Sequence, residues 1–345
     1  MFLLIHRPIF IGFLLSILSF SSLFLTSKSF ASCGAGNCFL VTGAEEGISS
    51  PGQMSLDISY RYVPMDDFQK GSGSTNEALV PKVDFENKDI ENRHHREIRT
   101  LNELVQVNVG YGVTTRFTLQ VAIPLMNNRA HEHFDGVTTT NPDGNFTRDD
   151  GASGIGDIRL MGRYAAVLRT RHLVVIGGGV KFPTGEYKLL NGEGNINEPS
   201  IQPGTGSFDY LFSFFYDYQI LPHRFDTFVS LSYELTDENN LGYTFGDQTL
   251  FNLGFNYRLE SEKNISLSTQ FNLRHTDRDT FETNTGGTGV LSTGGTTLYF
   301  SSGIRIQASD TLGLYSFLQL PVYQYVNEEN LVAKFGLVLG VTYTF

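Results

Sequence analysis

A strict alternation of apolar and polar residues, repeated along most of the chain, is the feature that most constrains the fold. In the first clear segment the apolar residues are Met54, Leu56, Ile58, Tyr60 and Tyr62, and polar residues separate them. Side chains along a β-strand point alternately to opposite faces, so this pattern predicts a strand with one apolar face and one polar face. Past residue 31 no apolar run approaches the roughly 20 residues that a membrane-spanning helix needs.

About twelve segments of this kind follow one another, each long enough for the roughly 9–11 residues that cross a bilayer at a tilt. Short connections alternate with long polar loops, the short ones being 113–115, 169–171, 219–224, 260–263 and 309–311 and the long ones 64–100, 127–153, 183–205, 236–245, 277–295 and 324–330. Outer-membrane barrels sort their connections in this way, with short periplasmic turns and long extracellular loops. We therefore predict an all-β fold, a transmembrane antiparallel up-and-down β-barrel of about 12 strands formed by residues 53–345.

The last segment carries its apolar alternation to the end of the chain. Tyr343 and the terminal Phe345 lie on its apolar face, and this ending resembles the signal that the bacterial barrel-assembly machinery reads. An unpaired apolar strand would be an aggregation-prone edge, whereas pairing with the first strand removes that edge. The predicted partners are this machinery, outer-membrane lipid and lipopolysaccharide, and the predicted location is the bacterial outer membrane.

Residues 1–31 have the organisation of an export signal. Arg7 supplies a positive charge, residues 9–25 are mostly apolar, and small residues precede a cleavage point after Ala31. We predict that the segment is a signal peptide that is removed. The alternatives are a retained membrane helix and lipidation of Cys33.

The next segment, residues 32–52, is predicted to be periplasmic. It contains Cys33 and Cys38, which are the two cysteines of the chain. In an oxidising compartment two thiols this close in sequence are predicted to form a disulfide. Whether the segment enters the lumen is left open.

Charges of both signs occupy the polar faces of the predicted strands. One interpretation is a selectivity lining that steers a polar solute, and the other is a cross-strand ion-pair network that packs the interior. The net charge of −11 provides no basic stripe for nucleic acid. The candidate lumen-lining residues are Asp57, Arg61, Arg116, Asp157, Arg159, Arg163, Asp217, Glu234, Arg258, Arg274, Arg305 and Lys334, together with Asp209 and Asp226.

Motifs rich in Gly and Pro occur where the predicted strands begin or end. They are Gly154-Ile155-Gly156-Asp157, Pro183-Thr184-Gly185, Pro203-Gly204-Thr205 and the stretch 318–324 (LQLPVYQ). In these motifs the chain, over roughly residues 50–345, resembles the outer-membrane family named for the meta-pathway of phenol degradation. The resemblance implies a channel or transporter for small, often aromatic or hydrophobic molecules. The cysteine segment lies outside this pattern.

The predicted function is an outer-membrane channel or facilitator for passive passage of a small solute of unknown identity, without a cofactor. The alternative is a structural or surface-interaction barrel that acts through its long loops. A hydrolase in the barrel wall is less favoured, because it needs a nucleophilic Ser beside a His base. Ser302 has no His at a matching height on the predicted neighbouring strands, so no enzymatic activity is predicted.

Histidine pairs provide the candidates for a metal site. His131 and His133 place two imidazoles on one side of an extended segment, and His94 and His95 are adjacent. Imidazole suits Zn²⁺ and Cu²⁺, but histidines in predicted loops are more often solvated polar residues. The sequence therefore predicts no metal site, with His131 and His133 as weak candidates.

Overall fold

The computed structural model, which describes residues 47–148, 150–259 and 265–345, contains a closed antiparallel barrel of twelve long strands. The strands are β1 Met54–Gly71, β2 Asp89–Gly112, β3 Phe117–Asp135, β4 Ile158–Leu168, β5 His172–Phe182, β6 Asp209–Leu221, β7 Phe225–Leu235, β8 Gln248–Arg258, β9 Ile265–Thr276, β10 Gly295–Gln307, β11 Leu312–Ala333 and β12 Gly336–Thr344. The predicted fold class is confirmed. The predicted signal peptide and both cysteines lie outside the described residues.

Pairing between the two ends of the chain closes the barrel. Residues Ser55 and Tyr62 of β1 pair with Thr344 and Leu337 of β12, and the other edge of β1 pairs with β2. At the seam the backbone N–H of Phe345 donates to the carbonyl oxygen of Met54 at 2.8 Å. Nearer the extracellular end β1 continues against the last residues of β11. Among the described strands, closure leaves no unpaired edge in the lipid layer.

The outer surface of the barrel is apolar because the alternating side chains of each strand sort by polarity. On β6, Tyr210, Phe212 and Phe214 point outward with exposed fractions of 46%, 53% and 40%, whereas the alternate residues Asp209 and Ser213 are buried and half-buried, respectively. A broad exposed apolar band is the surface that contacts lipid in an outer-membrane barrel. In the described part of the chain, no helix has the length and apolar character needed to cross a membrane.

Four strands extend further toward the extracellular side than the sequence predicted. β1 reaches Gly71, β2 begins at Asp89 and β3 reaches Asp135, although these stretches fall within the predicted loops 64–100 and 127–153. A fourth strand, β11, likewise continues to Ala333 through the predicted loop 324–330. Above the membrane both faces of a strand are polar, so the alternation that identifies the strand is lost there. This extension places several predicted loop residues on the rigid barrel wall.

The extracellular loops pack together above the barrel. Short strands Tyr243–Thr244, Thr280–Thr283 and Gly286–Gly289 form a small sheet, and their apolar side chains meet Val83 and Val290. Other short strands in these loops are Gly73–Ser74, Leu79–Asp84, Asn145–Thr147 and Ala152–Gly154. Among the described residues, the short turns between β2 and β3, β4 and β5, β6 and β7, and β10 and β11 lie at the opposite, periplasmic end.

Candidate functional site

Four buried charges from four consecutive strands meet inside the barrel. Arg159 on β4, Lys181 on β5, Asp209 on β6 and Glu234 on β7 are each at most 7% exposed. The Arg159 guanidinium donates to Glu234 Oε2 at 3.0 Å, and Lys181 Nζ donates to Glu234 Oε1 at 2.8 Å and contacts Asp209. We call these four residues the central ion network. Each buried charge contacts a partner of opposite charge, and this pairing reduces the free-energy cost of burying it.

A belt of neutral polar side chains continues around the wall. The amide of Asn252 donates to Ser230 Oγ at 2.8 Å, and the amide of Asn272 donates to Asn252 Oδ1 at 2.7 Å. Ser301 then donates to Asn272 Oδ1. These residues lie on β7 to β10 and are at most 4% exposed. The wall therefore offers hydrogen-bonding groups at the height of the membrane.

Aromatic rings also point inward, which the sequence analysis did not predict. Phe228 lies over Gly254 and Phe317 lies over Gly303, and each pair occupies opposite positions on neighbouring strands. A Cβ at either glycine would overlap the ring, so only glycine leaves room for it. A glycine directly opposite an aromatic residue on the neighbouring strand is the sequence signal that would have predicted these inward-pointing rings. The lumen thus combines polar and apolar surface.

A cavity of about 90 Å³ lies against the central ion network. Its wall combines charged, amide and apolar groups, so it can hold a small solute that has both a polar and an apolar part. The lining residues include Gln106, Asn108, Arg159, Arg163, Glu234, Leu250 and Asn252.

The loop of residues 183–208, which we call the inward loop, is attached to the barrel wall by Asp157. One carboxylate oxygen accepts the Gly185 N–H at 2.9 Å, and the other accepts the Thr205 N–H and hydroxyl at 2.8 Å each. Asp157 is 6% exposed. These three hydrogen bonds to one carboxylate hold both ends of the loop at one point.

The ends of the inward loop touch each other. A Cβ built at Gly204 would lie 2.6 Å from the carbonyl carbon of Gly185, and one built at Gly185 would lie 2.8 Å from Gly204 Cα. Gly156 packs against the carbonyl oxygen of Pro203 in the same place. The three Gly-containing motifs around residues 156, 185 and 204 therefore meet in space, and their glycines permit the close backbone approach.

The second half of the inward loop, residues 197–205, is buried against the barrel interior. Arg129 Nη1 donates to the Ser200 carbonyl at 2.8 Å, and Asn127 Nδ2 donates to the Pro203 carbonyl at 2.8 Å. Ile201 is 4% exposed. A second cavity of about 100 Å³ lies beside this part of the loop. The inward loop therefore narrows the extracellular part of the lumen.

Four histidines form a row on the inner wall of β2 and β3 near the extracellular end, and we call them the histidine cluster. The ring centroids of His94 and His95, of His95 and His133, and of His133 and His131 are 4.8, 4.5 and 4.6 Å apart. His95, His131 and His133 are 4%, 3% and 2% exposed. The prediction that these residues are solvated loop residues is wrong, because the extended strands place them on the barrel wall.

The predicted lumen residues divide into three groups by burial. Those buried in the interior are Asp57, Arg61, Asp157, Arg159, Arg163, Asp209, Glu234 and Arg274. Those half-buried are Asp217, Asp226 and Arg305. Those exposed are Arg116, Arg258 and Lys334. Their roles in selectivity remain predictions.

The three exposed residues lie at or beyond the ends of strands, where their side chains reach solvent. Arg116 is in the turn before β3, where its guanidinium donates to the Ala165 carbonyl at 3.1 Å. Arg258 is the last residue of β8. Lys334 lies between β11 and β12 and forms an ion pair with the exposed Asp66 at 2.8 Å.

The contact between two extracellular loops is expected to depend on pH through Asp279. Burial raises the pKa of this carboxyl to about 6, although Tyr243 Oη and the Gly246 N–H both donate to it. A raised pKa means that the folded state favours the neutral acid. The resulting stabilisation is present below about pH 4 and is lost as pH rises through about 6, and it amounts to about 2–3 kcal/mol at most.

Hydrogen–deuterium exchange, corrected for the intrinsic rate at each pH, measures this effect. We expect protection of the amides of residues 279–290 to fall between pH 4 and pH 7 in the wild-type protein. In Asp279→Asn, which cannot ionise, the protection should be flat over the same range. Equal pH dependence in both proteins would contradict the assignment.

Comparisons with known proteins agree with this architecture. The chain is similar in structure to an outer membrane channel from Pseudomonas putida F1, with a TM-score of 0.54 and 12% identity over 86% of this chain and 97% of that chain. The P. putida toluene transporter TodX aligns with a TM-score of 0.40 and 10% identity over 86% of this chain and 93% of that one. No curated protein matches the chain. At these identities the structural likeness shows the fold alone.

Sequence comparison identifies the family. The family model described as "Putative MetA-pathway of phenol degradation" matches residues 99–320, which is more than half of the chain. The matched range contains both the Asp157 attachment and the central ion network. The resemblance seen in the sequence motifs is confirmed, and the chain belongs to the family of the putative MetA-pathway of phenol degradation.

Proposed function

We propose that this protein is an outer-membrane channel for the passive passage of a small solute. The observation that carries the proposal is a closed barrel, apolar outside, whose interior contains charges of both signs around a cavity. Charged and amide groups that line a lumen are the groups by which a pore selects among solutes. The cavity beside the central ion network supports a channel over a barrel whose ion pairs only pack the interior.

The solute we propose is a small molecule with an aromatic or hydrophobic part and a polar group. Its polar group would meet the charges and amides of the cavity, and its apolar part would meet Leu250, Met161 and Leu211. Family membership supports this class of solute, because the family description names phenol degradation. We further propose that the protein is not an enzyme and that it reaches the outer membrane as an exported chain cleaved after Ala31.

Planar-bilayer recording tests the channel proposal. The refolded chain of residues 32–345, checked by its heat-modifiable mobility on gels, is expected to give discrete current steps. Arg163→Gln should shift the reversal potential in a salt gradient toward cation preference, because it removes a positive charge from the cavity wall.

The matched control is Arg171→Gln, which removes the same charge from an exposed periplasmic turn. It should leave the reversal potential unchanged. A correctly folded barrel that conducts no ions would contradict an open pore and favour an interaction role for the loops.

A further inference from the structure

We propose that the extracellular end of the barrel contains a site for a divalent transition-metal ion, Zn²⁺ or Cu²⁺, formed by His94, His95 and Asp135. One ligand atom from each of these residues lies within 4.8 Å of the others. His94 Nδ1 is 3.0 Å and His95 Nε2 is 2.7 Å from Asp135 Oδ1. Ligand atoms bound at about 2.0–2.2 Å around a tetrahedral ion lie about 3.3 Å apart, so small side-chain movements complete the site.

The ring nitrogens of His94 and His95 that face away from Asp135 provide a second argument for metal binding, beyond the short distances between the ligand atoms. Glu91 lies 3.2 Å from His94 Nε2, and Glu198 of the inward loop contacts His95 Nδ1. Each ring therefore has a carboxylate on one nitrogen and directs its other nitrogen toward Asp135. Carboxylates placed in this way fix the ring orientation and the tautomer of metal-binding histidines.

His133 is the candidate for a fourth ligand. It also has a carboxylate beside one ring nitrogen, since its Nε2 is 3.2 Å from Asp150, and its ring stacks on His95 with centroids 4.5 Å apart. Its Nδ1 has no hydrogen-bond partner among the described residues, although the side chain is only 2% exposed. An unsatisfied buried nitrogen costs free energy that a bound ion would recover.

The type of ion follows from the ligands. Two or three imidazoles with one carboxylate suit Zn²⁺ and Cu²⁺, whereas Mg²⁺ and Ca²⁺ prefer sites made of oxygen atoms. The ligands come from the ends of β2 and β3, and Glu198 connects His95 to the inward loop. A bound ion would therefore hold the barrel wall and the inward loop in one arrangement. This inference does not depend on the channel proposal, because binding is measured without transport.

Metal binding to the folded barrel in detergent, stripped with EDTA and dialysed, provides the test. Titration calorimetry is expected to show one Zn²⁺ per chain with a Kd of about 1 µM or tighter, and no binding of Mg²⁺ or Ca²⁺ at that level. His94→Gln/His95→Gln should abolish this binding. Glu198→Gln, which changes only the carboxylate behind His95, should weaken it about 10–100-fold.

The matched control is His275→Gln, because His275 Nε2 also faces a carboxylate, that of Asp277 at 3.3 Å, but is exposed and far from the cluster in sequence. It should bind as the wild type does. Cu²⁺ electron paramagnetic resonance on the wild-type protein provides a readout that needs no variant, and nitrogen hyperfine coupling from at least two imidazoles is expected. Binding that survives the double His variant, or a spectrum without nitrogen coupling, would overturn the proposal.

Discussion

Deleting residues 186–203 and joining Gly185 directly to Gly204 is expected to raise the single-channel conductance at least about twofold, because this segment narrows the lumen. The join requires little rearrangement, since the backbones of the two glycines already touch. Asp157 keeps its hydrogen bonds to the Gly185 and Thr205 N–H groups, which both remain. The barrel wall is therefore left intact while buried Ile201 and Gln202 are removed.

A deletion elsewhere on the extracellular side is the control for this result. Replacing the loop tip 138–141, whose first three residues are exposed, with two glycines shortens a solvent-facing loop, and it should leave the conductance unchanged. Both proteins should show the heat-modifiable mobility of a folded barrel. If removal of the inward loop leaves the conductance at its wild-type value in a folded protein, that loop does not restrict the conducting path.

Glu234→Gln is expected to move ion selectivity strongly toward anions. The substitution leaves Arg159 and Lys181 facing a neutral amide where a carboxylate stood at 3.0 and 2.8 Å. One unit charge about 8–16 Å from a passing ion, at an effective dielectric constant of about 20, contributes about 1–2 kcal/mol. This corresponds to about a six- to thirtyfold change in the permeability of each ion, upward for the anion and downward for the cation, and the permeability ratio is read from the reversal potential in a salt gradient.

Two further variants separate an electrostatic effect from a disturbed fold. Glu234→Gln/Lys181→Gln restores the charge balance of the central ion network and should return the selectivity most of the way to wild type. Asp310→Asn removes an acidic charge from an exposed periplasmic turn and should have no effect. An unchanged reversal potential in a folded Glu234→Gln barrel would show that Glu234 does not line the conducting path.

The membrane-spanning part of the fold was predictable from the sequence, because lipid contact requires an unbroken apolar face on each strand. The aromatic run starting at Phe208 predicted the strand that appears as β6, Asp209–Leu221. The C-terminal alternation predicted the strand that appears as β12 and its pairing with β1. Interior residues within strands, such as Asp57 and Arg163, were found by the same period of two.

The parts that escaped prediction depend on contacts between residues distant in sequence. Asp157 hydrogen-bonds to residues 28 and 48 positions later, so the three Gly motifs looked like separate turns. The histidine cluster lies where both faces of a strand are polar, and there the alternation carries no signal. Lys181 was not a candidate because the glycines preceding it interrupt the pattern of β5, although it lies opposite both Arg159 and Asp209.

The seam between the first and last strands has a consequence for the order of folding. Because Ser55 pairs with Thr344 and the Phe345 N–H donates to Met54, the barrel cannot close until residues 344–345 have reached β1. Contacts of such long sequence separation are slow to form. Until then β1 presents an unsatisfied edge that pairs readily with another chain. The time spent in this open form, rather than the stability of the finished barrel, would then determine how much of the protein is lost to aggregation.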